Sequence, residues 1–266
     1  MQIITVQFNY KGRPDYGLLL DVFRYSVKKY MPNVKFIEIK IEPPVNKTGR
    51  QLNFNYNDVK LKYWRDFMEN ATDDTIFADC DMLALQSAKH AFDIPFDVAA
   101  TFRTVKKRIP MNGGIIFARP TEESKRFFRE WYQINHRMLH NKPFHQEWRR
   151  VWAGMNQAAF GYVFKKGKHG ARIHRYMTRE WNAVDCDWNH LYEKTVFLHI
   201  KSKLRKLVLA KREPFGIYKR AMEIWYNMHR EATGGKIRSQ ERLLPRPRKR
   251  PRSRSRIKSV KRVKSA

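Results

Sequence analysis

Hydrophobic residues fall on two periods along the first third of this chain, and the order in which the periods alternate is the first clue to its architecture. Ile37, Ile39 and Ile41 alternate with Glu38 and Lys40, which predicts a strand from Lys35 to Ile41 ahead of Pro43-Pro44. Ile3 to Phe8 predicts an earlier strand. Between them Leu19, Phe23, Val27 and Tyr30 share one helical face, so Tyr16 to Tyr30 reads as a helix that Pro32-Asn33 ends. Residues 57–70 predict a second helix, leading into the apolar run Thr75-Ile76-Phe77-Ala78. Strand, helix, strand, helix, strand predicts an α/β fold with a mainly parallel, Rossmann-like sheet flanked by helices.

Beyond this half the pattern loosens. Val98 to Phe102 predicts a strand, and Asn112-Gly113-Gly114 predicts a turn opening another at Ile115 to Ala118. Thr121 followed by Glu122 and Glu123 predicts a capped helix to about Met138. Trp148, Trp152, Met155 and Ala159 fall at helical steps and predict one helix from Gln146 to Phe160, its tryptophans facing the core, with Asn156 and Gln157 near its end. A last helix is predicted from Pro214 to Thr233, with Ile217, Ala221, Ile224, Trp225 and Met228 on one face.

At 266 residues and 42% apolar, the chain suffices for one catalytic domain, expected over residues 1–235. No run of eighteen apolar residues occurs, and the first residues lack the pattern of a signal peptide, so a cytoplasmic protein is expected. Cys80 and Cys186 each lie between aspartates, a poor framework for a disulfide, and no zinc spacing is present.

Charge changes the picture more than composition does. The formal net charge is +30, with 55 Lys and Arg against 25 Asp and Glu. Residues 236–266 carry fourteen basic residues and only Glu241 as an acid, so this segment contributes +13 and the rest +17. With so few apolar groups, 236–266 is expected to be a disordered basic tail. A polyanion is its expected partner.

The candidate chemistry begins at Asp79-Cys80-Asp81. At the end of a buried strand, alternation puts both carboxylates on one face, placed to share a divalent cation with a diphosphate. A rival pair, Asp185-Cys186-Asp187, follows no apolar strand and reads as a loop over the site.

The order Asp79-x-Asp81, Asn112-Gly113-Gly114, Asn156-Gln157, Trp181-Asn182 and His199 resembles the GT-A glycosyltransferases, particularly the glycogenin-like nucleotide-diphospho-sugar transferases, over roughly residues 1–210. The resemblance implies a GT-A fold. It also implies Mn2+ (or Mg2+) on Asp79, Asp81 and His199, bridging the diphosphate of a nucleotide sugar. Phe8, Asn9 and Tyr10 would hold the nucleoside. Asn112, Gly113, Gln157 and Asn182 would hold the sugar, Gly114 and Trp181 would belong to the donor site, and Lys201, Lys203 and Arg205 would contact the diphosphate. In this family pattern a glycine and a lysine follow the histidine by three and six residues; here those places hold Ser202 and Arg205. An aspartate precedes the glutamine in the family, where this chain has Asn156, whose amide cannot act as a carboxylate nucleophile but can orient a sugar. An inverting reaction would need a carboxylate base, for which Asp185 or Asp187 is nearest in sequence.

The basic balance suggests a phosphate-rich acceptor, and a bacteriophage-type DNA-modifying glycosyltransferase acting on hydroxylated bases is the first expectation, in the host-cell cytoplasm. Two rivals stand beside it: transfer to an anionic cell-envelope glycan at a membrane surface, and a nucleic-acid-binding protein without catalysis.

Overall fold

The structure, a computed structural model, describes residues 1–8, 16–42, 49–103 and 110–234. The expected tail at 236–266 and the nucleoside candidates Asn9 and Tyr10 lie outside the described residues.

Six strands form the central sheet: β1 (Gln2–Phe8), β2 (Lys35–Ile41), β3 (Thr75–Asp79), β5 (Val98–Phe102), β6 (Met111–Ala118) and β7 (Ile173–Met177), in the order β2-β1-β3-β6-β5-β7. Five run the same way; only β6 is antiparallel to its neighbours. The mainly parallel sheet is therefore as expected. Central strands show why the apolar runs are unbroken: Ile4, Val6 and Phe77 face one core cluster while Ile3, Ile76 and Ala78 face another.

On the first face lie α2 (Gly49–Glu69), α3 (Glu122–His140), α4 (Lys142–Arg149) and α5 (Asn156–Lys166), with Trp64, Phe127 and Trp131 fully buried among them. The other face is covered by α1 (Tyr16–Tyr30) and a two-stranded sheet of β4 (Met82–Ala84) and β8 (Phe197–His199). Beyond these, α7 (Ser202–Leu209) and α8 (Lys219–Ala232) pack on α1 through Leu19, Leu204, Met222 and Trp225. The short α6 (Thr178–Trp181) leads off β7.

Two expectations fail locally, and both failures shape the site. The helix expected from Gln146 to Phe160 is two helices, because Gly154 takes a left-handed φ of +100° between α4 and α5. Asn141 caps α4 by accepting from the Phe144 N–H, and Asn156 and Gln157 stand at the start of α5 instead of near a helix end. The expected tryptophan assignment holds, since Trp152 is buried against Gly161.

Asn112-Gly113-Gly114 is not a turn before a strand but lies inside β6. Pairing between β5 and β6 jumps there, Ala100 opposing Ile116 and Thr101 opposing Asn112. Such a bulge bends the strand and re-aims its backbone. Because β6 runs antiparallel, its first residues reach the same edge of the sheet as the carboxyl ends of β1 and β3, where α/β sheets bind ligands.

Candidate active site

Strand register brings the acids and the histidine together. Asp79 ends β3, and the chain turns through Cys80 and Asp81 into β4, whose Met82 pairs with His199 of β8. The Ile200 N–H donates to the Asp81 carbonyl at 2.8 Å, locking the two segments side by side. His199 Nε2 thereby lies 3.2 Å from Asp81 Oδ1 and 3.8 Å from Asp79 Oδ2. One ligand atom from each of the three residues falls within 4.8 Å of the others, a spacing that admits a metal ion.

The hydrogen-bond network fixes which histidine nitrogen faces that ion. The Gly114 backbone N–H donates to Asn112 Oδ1 at 3.0 Å, which identifies that atom as the acceptor of the Asn112 amide. Asn182 Nδ2 donates to the same oxygen at 3.0 Å and to Thr101 Oγ1 at 2.8 Å. Asn182 Oδ1 is left to accept from His199 Nδ1 at 3.2 Å. A ring that keeps its proton at Nδ1 would leave its Nε2 lone pair free for a metal ion held between Asp79 and Asp81, as a metal-binding imidazole requires. Carboxylate and imidazole donors of this kind fit a divalent manganese or magnesium-like ion.

These side chains line a cavity of about 380 Å³. Of the residues singled out in the sequence, it brings together Phe8, Asp79, Asp81, Asn112, Gly113, Gly114, Asn156, Gln157, His199, Lys201 and Arg205. The glycines are there for close approach, and neither has a left-handed φ. A Cβ on Gly114 would sit 2.3 Å from the His199 ring, and one on Gly113 would sit 3.1 Å from the Asn156 amide. Gln157 Nε2 donates to the Met111 carbonyl at 2.6 Å, tying α5 to the start of β6.

Other candidates fall elsewhere. Trp181 packs in the core against Tyr176, His90 and Phe117 and does not line the cavity. Asn182 is fully buried behind His199, so it holds the histidine where a sugar contact had been expected. Asp187 is buried and accepts from the Val184 N–H at 3.1 Å, which makes it a loop staple. Asp185 pairs with Arg103 at 2.8 Å; burial would raise its carboxyl, but Arg103 and Lys201 hold it below the usual range. Lys203 is exposed, its ammonium 5.4 Å from the Tyr218 ring.

Cations from two helices reach the acids. Arg205, on α7, donates to Asp81 Oδ2 at 2.8 Å and lies over the Tyr16 ring. Burial works against ionisation of Asp81, yet the His199 and Arg205 groups outweigh it and hold the carboxyl down to about 2. The other cation is Lys60 of α2, which the sequence reading missed. Its buried ammonium lies 2.7 Å from Asp79 Oδ1 and 4.4 Å from the Trp64 ring centre. In a chain with 55 basic residues nothing marks Lys60 except its helical step to Trp64, and only the fold places it at Asp79.

Tyr16 and Tyr56 were also missed and line the same cavity. Burial, only partly opposed by Arg205, pushes the Tyr16 hydroxyl up to about 12. Tyr56 packs against Phe8 with ring centres 4.4 Å apart. Ser202 stands where the resemblance expects glycine and takes a left-handed φ of +53°, so the backbone turn survives without the glycine, as strain beside the cavity.

A mainly parallel sheet with one reversed strand, with Asp79 at its carboxyl edge and Asp81 and His199 brought beside it by the following turn and β8, is the arrangement expected of a GT-A fold. Residues 45–207 match the family model of the nucleotide-diphospho-sugar transferases, and the chain belongs to that family. No protein of curated function matches it in sequence. Among solved structures it resembles a glycosyltransferase involved in glycosylation of the major capsid of PBCV-1, at 11% identity and a TM-score of 0.55, covering 84% of this chain and 100% of that one. The galactosyltransferase LgtC, solved with donor and acceptor sugar analogues, gives 9% identity and 0.55 over 87% and 96%. The glycosyltransferase GlyE of Streptococcus pneumoniae TIGR4 gives 12% and 0.54 over 86% of this chain and 60% of GlyE. At these identities the likeness is one of fold. Among the described residues no helix is long and apolar enough to cross a membrane.

Proposed function

We propose that the protein transfers a sugar from a nucleoside diphosphate sugar to a hydroxyl of a hydroxylated base in DNA, with Mn2+ or Mg2+ held by Asp79, Asp81 and His199. The observation that carries the reading is the convergence of those three ligands, with His199 Nε2 aimed between the acids, inside a cavity large enough for part of a sugar nucleotide. When bound, the ion supplies Lewis acidity to the departing diphosphate.

The chain's own groups do the rest. Arg205 contacts the diphosphate and offsets the charge that develops on it. Lys60 keeps Asp79 in place. Phe8 and Tyr56 offer aromatic surface to the base, while Asn112, Gly113, Asn156 and Gln157 surround the sugar. The bond from the anomeric carbon to the phosphate oxygen breaks as the acceptor oxygen bonds to that carbon. Asp187 is engaged by the Val184 N–H and Asp185 by Arg103, which leaves both poorly suited as a base. That supports retention of configuration, with the acceptor proton passing to the departing phosphate oxygen.

DNA is favoured by charge: +17 over residues 1–235 and +13 over 236–266. A second acceptor, an anionic envelope glycan at a membrane surface, is favoured by Phe215 and Ile217, 47% and 50% exposed, in a stretch flanked by Lys211, Arg212, Lys219 and Arg220. The test is nucleoside diphosphate release from a panel of nucleotide sugars, with Mn2+, with and without DNA bearing hydroxymethylated pyrimidines. Stimulation by that DNA, with a salt dependence flattened by deleting 236–266, is expected. Release indifferent to DNA, together with flotation on anionic liposomes, moves the acceptor to the envelope. A chain that binds neither donor nor metal ends the catalytic reading.

A further inference from the structure

Residues 131–179 hold ten Lys and Arg and only Glu147 as an acid, so +9 of the +17 on residues 1–235 falls in about a fifth of that length. Of those ten cations only Arg172 has a carboxylate partner among the described residues, Asp97 at 3.4 Å. Five of the others stand around one cluster of rings. Phe144 and Trp148 of α4 meet Tyr162 of α5 edge to face, with ring centres 5.3 and 5.0 Å from it, and all three rings are half-buried. Arg137 lies over the Phe144 ring at 4.7 Å. Lys165 and Lys166, three and four positions past Tyr162, are its neighbours on the outward side of α5, and both are exposed. Arg149 and Arg150 follow Trp148 and are exposed as well.

Cations gathered on one face without carboxylates beside them repel one another and attract a polyanion, which gains further by releasing its counterions. The face also leads to the cavity. Helix α5 begins at Asn156 and Gln157, which line that cavity, and its rise from Asn156 to Lys166 is about 15 Å. Arg150 stands just ahead of the Gly154 turn that opens into the same helix. A lipid surface suits the face less well. In α4, α5 and the turn between them Val151 is the one exposed large apolar side chain among the described residues, and the exposed pair Phe215 and Ile217 lies beyond α7. Rings set flat between cations suit a chain of alternating phosphates and bases.

We propose that the α4–α5 face is where the DNA strand docks, with Arg149, Arg150, Lys165 and Lys166 on its phosphates and the rings of Trp148 and Tyr162 against its bases. The cations supply affinity without choosing a sequence, and base choice is left to the cavity. This inference rests on the DNA-acceptor reading and specifies the surface that serves it.

The experiment is fluorescence anisotropy of a labelled single-stranded oligonucleotide titrated with the full-length protein over a series of salt concentrations. In the fourfold variant Arg149→Gln, Arg150→Gln, Lys165→Gln, Lys166→Gln, affinity at about 0.1 M salt should fall about tenfold or more, and the slope of log affinity against log salt should flatten by about three, at roughly 0.7 for each lost contact. Changing Lys28, Lys89, Lys194 and Arg230 to Gln removes the same charge from other exposed positions and should leave the slope within about one of wild type. Equal flattening in the two variants, or none in the first, overturns the proposal, since net charge and residues 236–266 would then account for binding. A face variant that binds DNA as wild type does but no longer binds anionic liposomes gives the face to a membrane and overturns it too. Should the fourfold variant fail to fold, Lys165→Gln with Lys166→Gln takes its place, with about half the change in slope expected. DNA bound equally by wild type and the face variant leaves the DNA-acceptor reading standing; a wild-type protein that binds no DNA removes that reading, and this docking face with it.

Discussion

Gly114→Ala tests whether the histidine is held by geometry. The added methyl would lie 2.3 Å from His199 Cε1, 2.5 Å from Nδ1 and 2.9 Å from Asn112 Oδ1, where ordinary contact begins at 3.4 Å. Gly114 lies in β6, which is hydrogen-bonded between β3 and β5 in the middle of the sheet, so its backbone has little freedom to withdraw. The ring must instead retreat by about 1 Å, the difference between 2.3 Å and 3.4 Å. A shift of that size breaks the 3.2 Å contacts of His199 with Asn182 and Asp81. Overpacking of this kind costs about 1–3 kcal/mol, which a domain of ordinary stability survives. The expected result is a folded protein whose Mn2+ affinity, read by electron paramagnetic resonance of free Mn2+, falls roughly 10- to 100-fold. A cooperative melt with Mn2+ affinity within about threefold of wild type would refute the argument that His199 needs the space Gly114 leaves.

Two further outcomes follow from neighbouring contacts. Asn182→Leu keeps the volume and removes the acceptor for His199 Nδ1–H, so Mn2+ affinity should drop roughly 10-fold or more with nothing at residue 182 touching the ion; unchanged affinity would show that another group sets the tautomer. Ser202→Gly relieves about 1 kcal/mol of left-handed strain, partly offset by the greater entropy of glycine in the unfolded chain, so thermal melting should show a slightly higher midpoint, and a lower one would deny the strain.

Local pattern carried much of this protein. Ile37, Ile39 and Ile41 could satisfy only a strand, Leu19 to Tyr30 only a helix, and the run before Asp79 was apolar enough to be a central strand with its acids at the open edge. Those are statements about period and burial, which a sequence displays directly. The metal candidates were legible too, because two acids one residue apart after such a strand share a face whatever follows. Where one residue set a local conformation against its neighbours' pattern, the reading failed: Gly154 splits a helix that Trp148, Trp152 and Ala159 make look continuous.

Tertiary structure decided what the sequence could name but not place. His199 is one of nine histidines until β8 pairs with β4, and Lys60 one of many lysines until α2 lays it against Asp79. Trp181 and Asn182 read as donor-site residues, yet packing sends the first into the core and the second behind the histidine. Asp185 and Asp187 look alike in the chain, and only the surroundings give one to Arg103 and the other to a backbone N–H. The physical reason is range: periodicity acts over a few residues, whereas a charge or an imidazole is defined by partners that the sheet brings from tens to more than a hundred positions away.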